Sequence, residues 1–148
     1  MNLPEYVTKE EVRRMCKELG LSDWTQLTEA RVSLDEAKII QSAIGNEALA
    51  ISAEAFKDGL EVELEHGVRF PEANVTNNHP LLTGKIVLAH LKESLDYYVR
   101  LEVSELEGDL LKAYQSGDAA KLASKYALLL AARAELAEGE RVGITKRD

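Results

Sequence analysis

An all-α fold, a single-domain bundle of about five to six helices, is what this sequence predicts, and three observations carry the reading. Apolar residues recur at helical spacing in one segment after another, with capping residues ahead of them and glycines behind. Nothing alternates for long outside VELEH at 62–66, so no strand has an evident mate. With nine glycines and three prolines in 148 residues, long Ala-, Leu- and Glu-rich runs stay unbroken. A chain of this length can bury roughly 70% of its unfolded surface, and 45% apolar with 30% charged residues is the balance of a soluble globular protein.

The first two elements resemble each other: VTKEEVRRMCKELG from Val7 and VSLDEAKIIQSAIG from Val32. Thr8 and Ser33 stand three residues before Glu11 and Glu36, the spacing of a capping box, and Gly20 and Gly45 suit left-handed C-caps. Val12, Met15 and Leu19 match Ala37, Ile40 and Ile44, the stripe of a helix with one buried side. This predicts an N-terminal helical pair over 1–45, with Trp24 between the helices as a core plug. The main bundle, 46–148, packs with that pair as one domain.

From Asn46 the sequence NEALAISAEAFKDGLEVELEHG reads as a helix that stops at Gly67 and is capped by Asn46 or starts nearer Ser52. Residues 67–79, GVRFPEANVTNNH, form the one long irregular segment, of a length that marks function or flexibility. Pro80 then sits well at the first position of PLLTGKIVLAHLKES. Two longer helices follow, broken at Ser116-Gly117, with Asp118 placed to cap the last.

Composition excludes some functions. Asp and Glu outnumber Lys and Arg by 26 to 18, and the net charge of −8 repels phosphate backbones and anionic membranes, so no nucleic-acid or membrane partner is expected. Lys146-Arg147 reads as a solvated tail. A lone Cys16, no signal-like N-terminus and no apolar run of about 20 residues point to the cytoplasm. Hydrolase chemistry has little support, since no nucleophile elbow or glycine-rich loop is present.

The stretch GLEVELEHG, 59–67, carries the chemistry that the sequence hints at. At about 100° per residue, Glu61 and Glu65 face water while Glu63 and His66 share the arc of Phe56, Leu60, Leu64 and Val62. On TGKIVLAHLKE the same construction puts His90 and Glu93 on the apolar face. The candidates are therefore Glu63, His66, His90 and Glu93, two pairs at i, i+3. Glu-x-x-His on bundle helices is how carboxylate-bridged di-iron and di-manganese sites are built, and a mononuclear site needs fewer ligands. Further carboxylates, with Glu54 and Glu105 as the weaker candidates, would complete the larger site. The competing readings are a buried hydrogen-bonded network that fixes the packing of two helices, a helix C-cap by His66, and a small-ligand pocket.

From 56 to 101, the segments FKDGLEVELEHG, NVTNNHPLLTGKIVLAHLKE and DYYVRL together resemble the signature of an uncharacterised family of small helical microbial proteins, a domain of unknown function. Where the family places an acidic residue before the proline, His79 stands here. VTKEEVRRMCKELGLSDW is similar to an N-terminal extension of some members. The resemblance implies a fold and a set of positions: Glu63, Glu65, His66, His90, Glu93, Tyr97 and Tyr98 as one constellation, with one tyrosine buried and one at the surface.

Two functions compete. One is a structural or interaction module, a homo-oligomer or binder of a protein partner, with a His/Glu cluster that holds the fold together. The other is a metal-binding bundle, ferritin-like or oxidoreductase-like, with iron, manganese or zinc as its divalent ion. The long C-terminal helical pair, which offers surface for packing between chains, motivates the first. No reaction or substrate is legible.

Overall fold

Capping chemistry punctuates the chain much as the sequence predicts. The computed structural model describes residues 6–145, so Lys146-Arg147 lies outside the described residues. In order come α1 (Lys9–Leu19), a 3₁₀ turn (Trp24–Gln26), α2 (Leu34–Ile44), the single turn α3 (Asn46–Leu49), α4 (Ala53–Arg69), a second 3₁₀ turn (Pro71–Ala73), α5 (Pro80–Glu93), α6 (Tyr97–Ser116) and α7 (Ala119–Thr145). The fold is all-α, with no strand among the described residues. That makes seven α-helices there, α3 being the one beyond the expected count.

Thr8 accepts from the Glu11 N–H at 3.2 Å to start α1, and at Ser33 both arms of the capping box are made. Asp118 accepts from the Lys121 N–H at 2.8 Å and starts α7. Gly20 and Gly117 end α1 and α6 with φ near +70°, where other residues meet steric cost. Of the two starts read for the helix after Gly45, α4 takes the one at Ser52: the buried Gln41 amide donates to the carbonyls of Ala48 and Ile51, the turn from Asn46 ends at Leu49, and Ser52 caps α4. One boundary differs from the expectation, since Gly67 does not stop α4, which continues to Arg69.

The contacts of the chain group it into two compact units, Met1–Lys92 and Glu93–Asp148, elsewhere than the 1–45 and 46–148 division read from the sequence. In the first unit α2 lies against α4, so the N-terminal pair and α4 share one core. Val12, Trp24, Ile40, Phe56, Leu60 and Val87 have no exposed surface, and each large side chain so buried contributes roughly 1.5–3 kcal/mol. Trp24 is a core plug. Cys16 is buried beside it, and burial pushes its thiol pKa up, which keeps it protonated and unreactive. In the second unit α6 and α7 form an antiparallel hairpin around Leu106, Leu129 and Ala132, with Val103 and Leu110 packed against them.

Gly84 of α5 is a point of close approach between helices in the first unit. A Cβ built there would stand 2.5 Å from Ile44 Cδ1 and 2.8 Å from Ile40 Cγ2, with Phe56 Cζ at 3.3 Å. Gly108, in α6, has nothing within 4 Å of the same position. Replacing Gly84 with Ala is therefore expected to destabilise the protein by about 1–3 kcal/mol through overpacking. Gly108→Ala, on an open helical surface, is expected to stabilise it by up to about 1 kcal/mol. Urea denaturation of both variants checks the pair, and equal midpoints would show that the Gly84 contact does not govern packing.

Candidate functional site

Of the four side chains the sequence nominates, Glu63 and His90 stand near each other. Glu63 of α4 and His90 of α5 are largely shielded, and His90 Nε2 lies 3.5 Å from Glu63 Oε1. His66 is exposed in the last turns of α4, because the buried arc of that helix runs through Phe56, Gly59, Leu60 and Leu64 and does not extend to His66. Glu93 is exposed at the end of α5 and begins the second unit. Glu65 is exposed and paired with Arg69 at 2.8 Å. Tyr98 is buried and Tyr97 half-buried, their rings edge-on with centroids 5.2 Å apart.

Among the described residues no group of three or more His, Cys, Asp or Glu side chains stands close enough to hold a metal ion. Glu54 and Glu105, the weaker carboxylate candidates, are both exposed. The donor set that the metal-binding alternative requires is thus not assembled there, and the Glu63 and His90 contact joins α4 to α5. Glu61 differs from its expected solvent-facing role. It is half-buried, accepts from the Val32 N–H at 2.9 Å and pairs with Lys57 at 2.8 Å, tying the start of α2 to α4. Its wheel position marked it as outward, and only the fold brings Val32 to it.

His79 occupies the cap of α5. It is buried, its Nδ1 accepts from the Leu82 N–H at 3.4 Å, and its Nε2 lies 4.0 Å from Glu11 Oε1. Burial lowers its pKa; Glu11 opposes this and Arg14 adds to it. Because the folded imidazole is the weaker base, the unfolded chain takes up its proton first as pH falls. The His79 contribution to stability is complete above the ordinary imidazole value of about 6.5 and is lost as pH drops from there through the folded value. Asparagine caps helices well and does not titrate. His79→Asn is therefore expected to lose less melting temperature than the unaltered chain between about pH 7.5 and 5.5. Parallel melting curves across that range would contradict the assignment.

The surface most unlike a solvated helix face lies on the hairpin. Leu129 and Ala132 of α7 are buried against α6, yet Tyr126 (53%), Leu128 (50%) and Leu130 (49%) are half-exposed, and Leu111 and Tyr114 of α6 are 57% and 73% exposed. Near the turn at Gly117 lies a groove of about 530 Å³, lined by Leu110, Leu111 and Tyr114 from α6 and by Ala119, Leu122, Ala123 and Tyr126 from α7. No charged residue lines it. The cross-helix pairs Lys125–Asp109 (2.8 Å) and Arg133–Glu107 (2.6 Å) hold the hairpin together outside the groove. The signal was present in the sequence: Ala123, Tyr126, Leu130 and Ala134 recur at i, i+3, i+7 and i+11, a second apolar stripe beside the buried one.

The chain belongs to the family described as "Protein of unknown function (DUF5661)", whose model matches residues 12–107. The match is wider than the 56–101 resemblance and takes in most of α1, so VTKEEVRRMCKELGLSDW falls largely within the family's span. It ends inside α6, and every residue lining the groove lies beyond it. No curated protein and no solved structure matches the chain.

Proposed function

We propose that this protein is a helical interaction module that self-associates, two copies packing the apolar flanks of their α6–α7 hairpins into a four-helix bundle. The observation that carries the reading is the uncharged groove with Leu111, Tyr114 and Tyr126 exposed in its lining, and Leu130 exposed one turn along α7 from Tyr126. A two-helix hairpin built around the cluster of Leu106, Leu129 and Ala132 has half the layers of a bundle. A second hairpin supplies the rest.

The pattern of sizes favours a second copy as the occupant. Along α7 the large Tyr126 and Leu130 alternate with the small Ala123, Ala127 and Ala134, so a two-fold axis sets large against small on both sides. Leu111, Tyr114, Tyr126 and Leu130 offer about 500 Å² of apolar surface per copy, which doubled approaches the lower end of specific interfaces. The expected dissociation constant is of micromolar order. Each copy carries −8, so salt strengthens the association by screening repulsion.

The cytoplasm is the compartment proposed for it. The buried free thiol of Cys16 suits a reducing compartment, and no described helix is long and apolar enough to cross a membrane.

Light scattering after size exclusion, across roughly 1–200 µM protein, tests the reading. The mass should rise from 16.4 kDa toward twice that value, and Leu130→Glu should weaken the association at least tenfold while leaving the dilute protein helical. A constant monomer mass, or an association that the variant leaves unchanged, would overturn it.

A further inference from the structure

The long irregular segment at 67–79 plays no part in the hairpin, and its geometry is costly in a way that needs an explanation. Asn77 and Asn78 both have positive φ, 48° and 61°, two consecutive left-handed residues without a glycine. They are held by side-chain bonds. Asn77 Nδ2 donates to the Val7 carbonyl at 2.6 Å, and Asn74 Nδ2 donates to the Gly67 carbonyl at 3.3 Å and to Asn78 Oδ1 at 2.9 Å. The amides press so closely on α4 that a Cβ at Gly67 would collide with Asn78 Oδ1 and stand 2.7 Å from Asn74 Nδ2. The segment is thereby latched to α4 and to the chain just before α1.

What this latch builds is a small cavity of about 190 Å³. Asn74, Asn77, Asn78 and Thr25 line it together with Lys9, the first residue of α1, and the apolar Leu27 and Val68. Among the described residues Lys9 has no ion-pair partner, in a protein where carboxylates outnumber cations. A lysine with no ion pair among the described residues, beside amides that both donate and accept, is suited to an anion with a second hydrogen-bonding group. The volume is that of about six water molecules, below the range of cofactor pockets. One lysine matches the single charge of a carboxylate, whereas a phosphate group brings a charge of about −1.5 to −2 and calls for more cations or a backbone nest.

We propose that this cavity is a binding site for a small hydroxy- or amino-carboxylate: the carboxylate on Lys9, the hydroxyl or amino group among the asparagine amides, and the short carbon skeleton against Leu27 and Val68. The site lies entirely in the first compact unit and stands or falls independently of self-association.

The test is a titration of the full ¹⁵N-labelled chain followed by backbone amide shifts, with lactate and alanine as probes and inorganic phosphate and propionamide as comparisons. Lactate or alanine should give saturable shifts concentrated at Lys9, Thr25, Gly67 and Asn77, with phosphate and propionamide at least tenfold weaker. Lys9→Gln should weaken the binding at least tenfold and Lys9→Arg should restore most of it. Lys9 is exposed, so both variants should melt as the unaltered chain does, which circular dichroism checks. Absence of saturable shifts with both carboxylates, equal binding by Lys9→Gln, or tighter binding of phosphate would each overturn the proposal.

Discussion

The contact of the α5 backbone with Ile40, Ile44 and Phe56 at Gly84 fixes the first unit. A helix pressed that closely cannot slide or rotate without a clash, because close-packed interiors transmit a displacement of even one methyl group. Its position sets that of everything else on α5. Val87 and Leu91 reach the core one and two turns further on, His90 is brought to Glu63, and Thr83 and His79 are buried at the helix start. The His/Glu contact follows from the packing. It is largely shielded and joins two helices that a glycine already holds together.

A second constraint acts at the other end of α4. Gly67 admits the side chains of Asn74 and Asn78 against the helix, and this lets α4 run on to Arg69 beneath a loop that doubles back. Both glycines serve the same physical purpose, close approach to a helix backbone, and in both the neighbour is a side chain that a Cβ would displace. Gly84 receives aliphatic groups and yields a dry core. Gly67 receives amides and yields a polar recess.

Much of the architecture was legible because it is written locally. Thr8, Ser33 and Asp118 announce helix starts and Gly20 and Gly117 announce stops, through bonds that span three or four residues. The sequence left the start of α4 open between Asn46 and Ser52, since the choice depends on Gln41 reaching carbonyls seven and ten residues away. Gly67 misled for the same reason: a glycine near a helix end reads as a stop unless the loop that packs on it is known. The helical wheel placed Glu63 and His90 correctly toward a partner but brought His66 inward, because a wheel carries no information about where the neighbouring helices end. Glu61 was likewise assigned to solvent, and its bond to Val32 spans 29 residues. The hairpin flank lay in plain view as a second apolar stripe, obscured by the buried stripe beside it.

The hairpin flank, and not the Glu63–His90 contact, is the surface proposed to meet a second copy of the chain. Hydrogen exchange followed by mass spectrometry at two protein concentrations, one well below and one well above micromolar, addresses this most directly. Exchange over residues 110–130 should slow at the higher concentration while peptides covering residues 56–66 and 83–92 stay unchanged. Concentration-independent exchange at 110–130, or slowing confined to the peptides around Glu63 and His90, would contradict association through the hairpin flank.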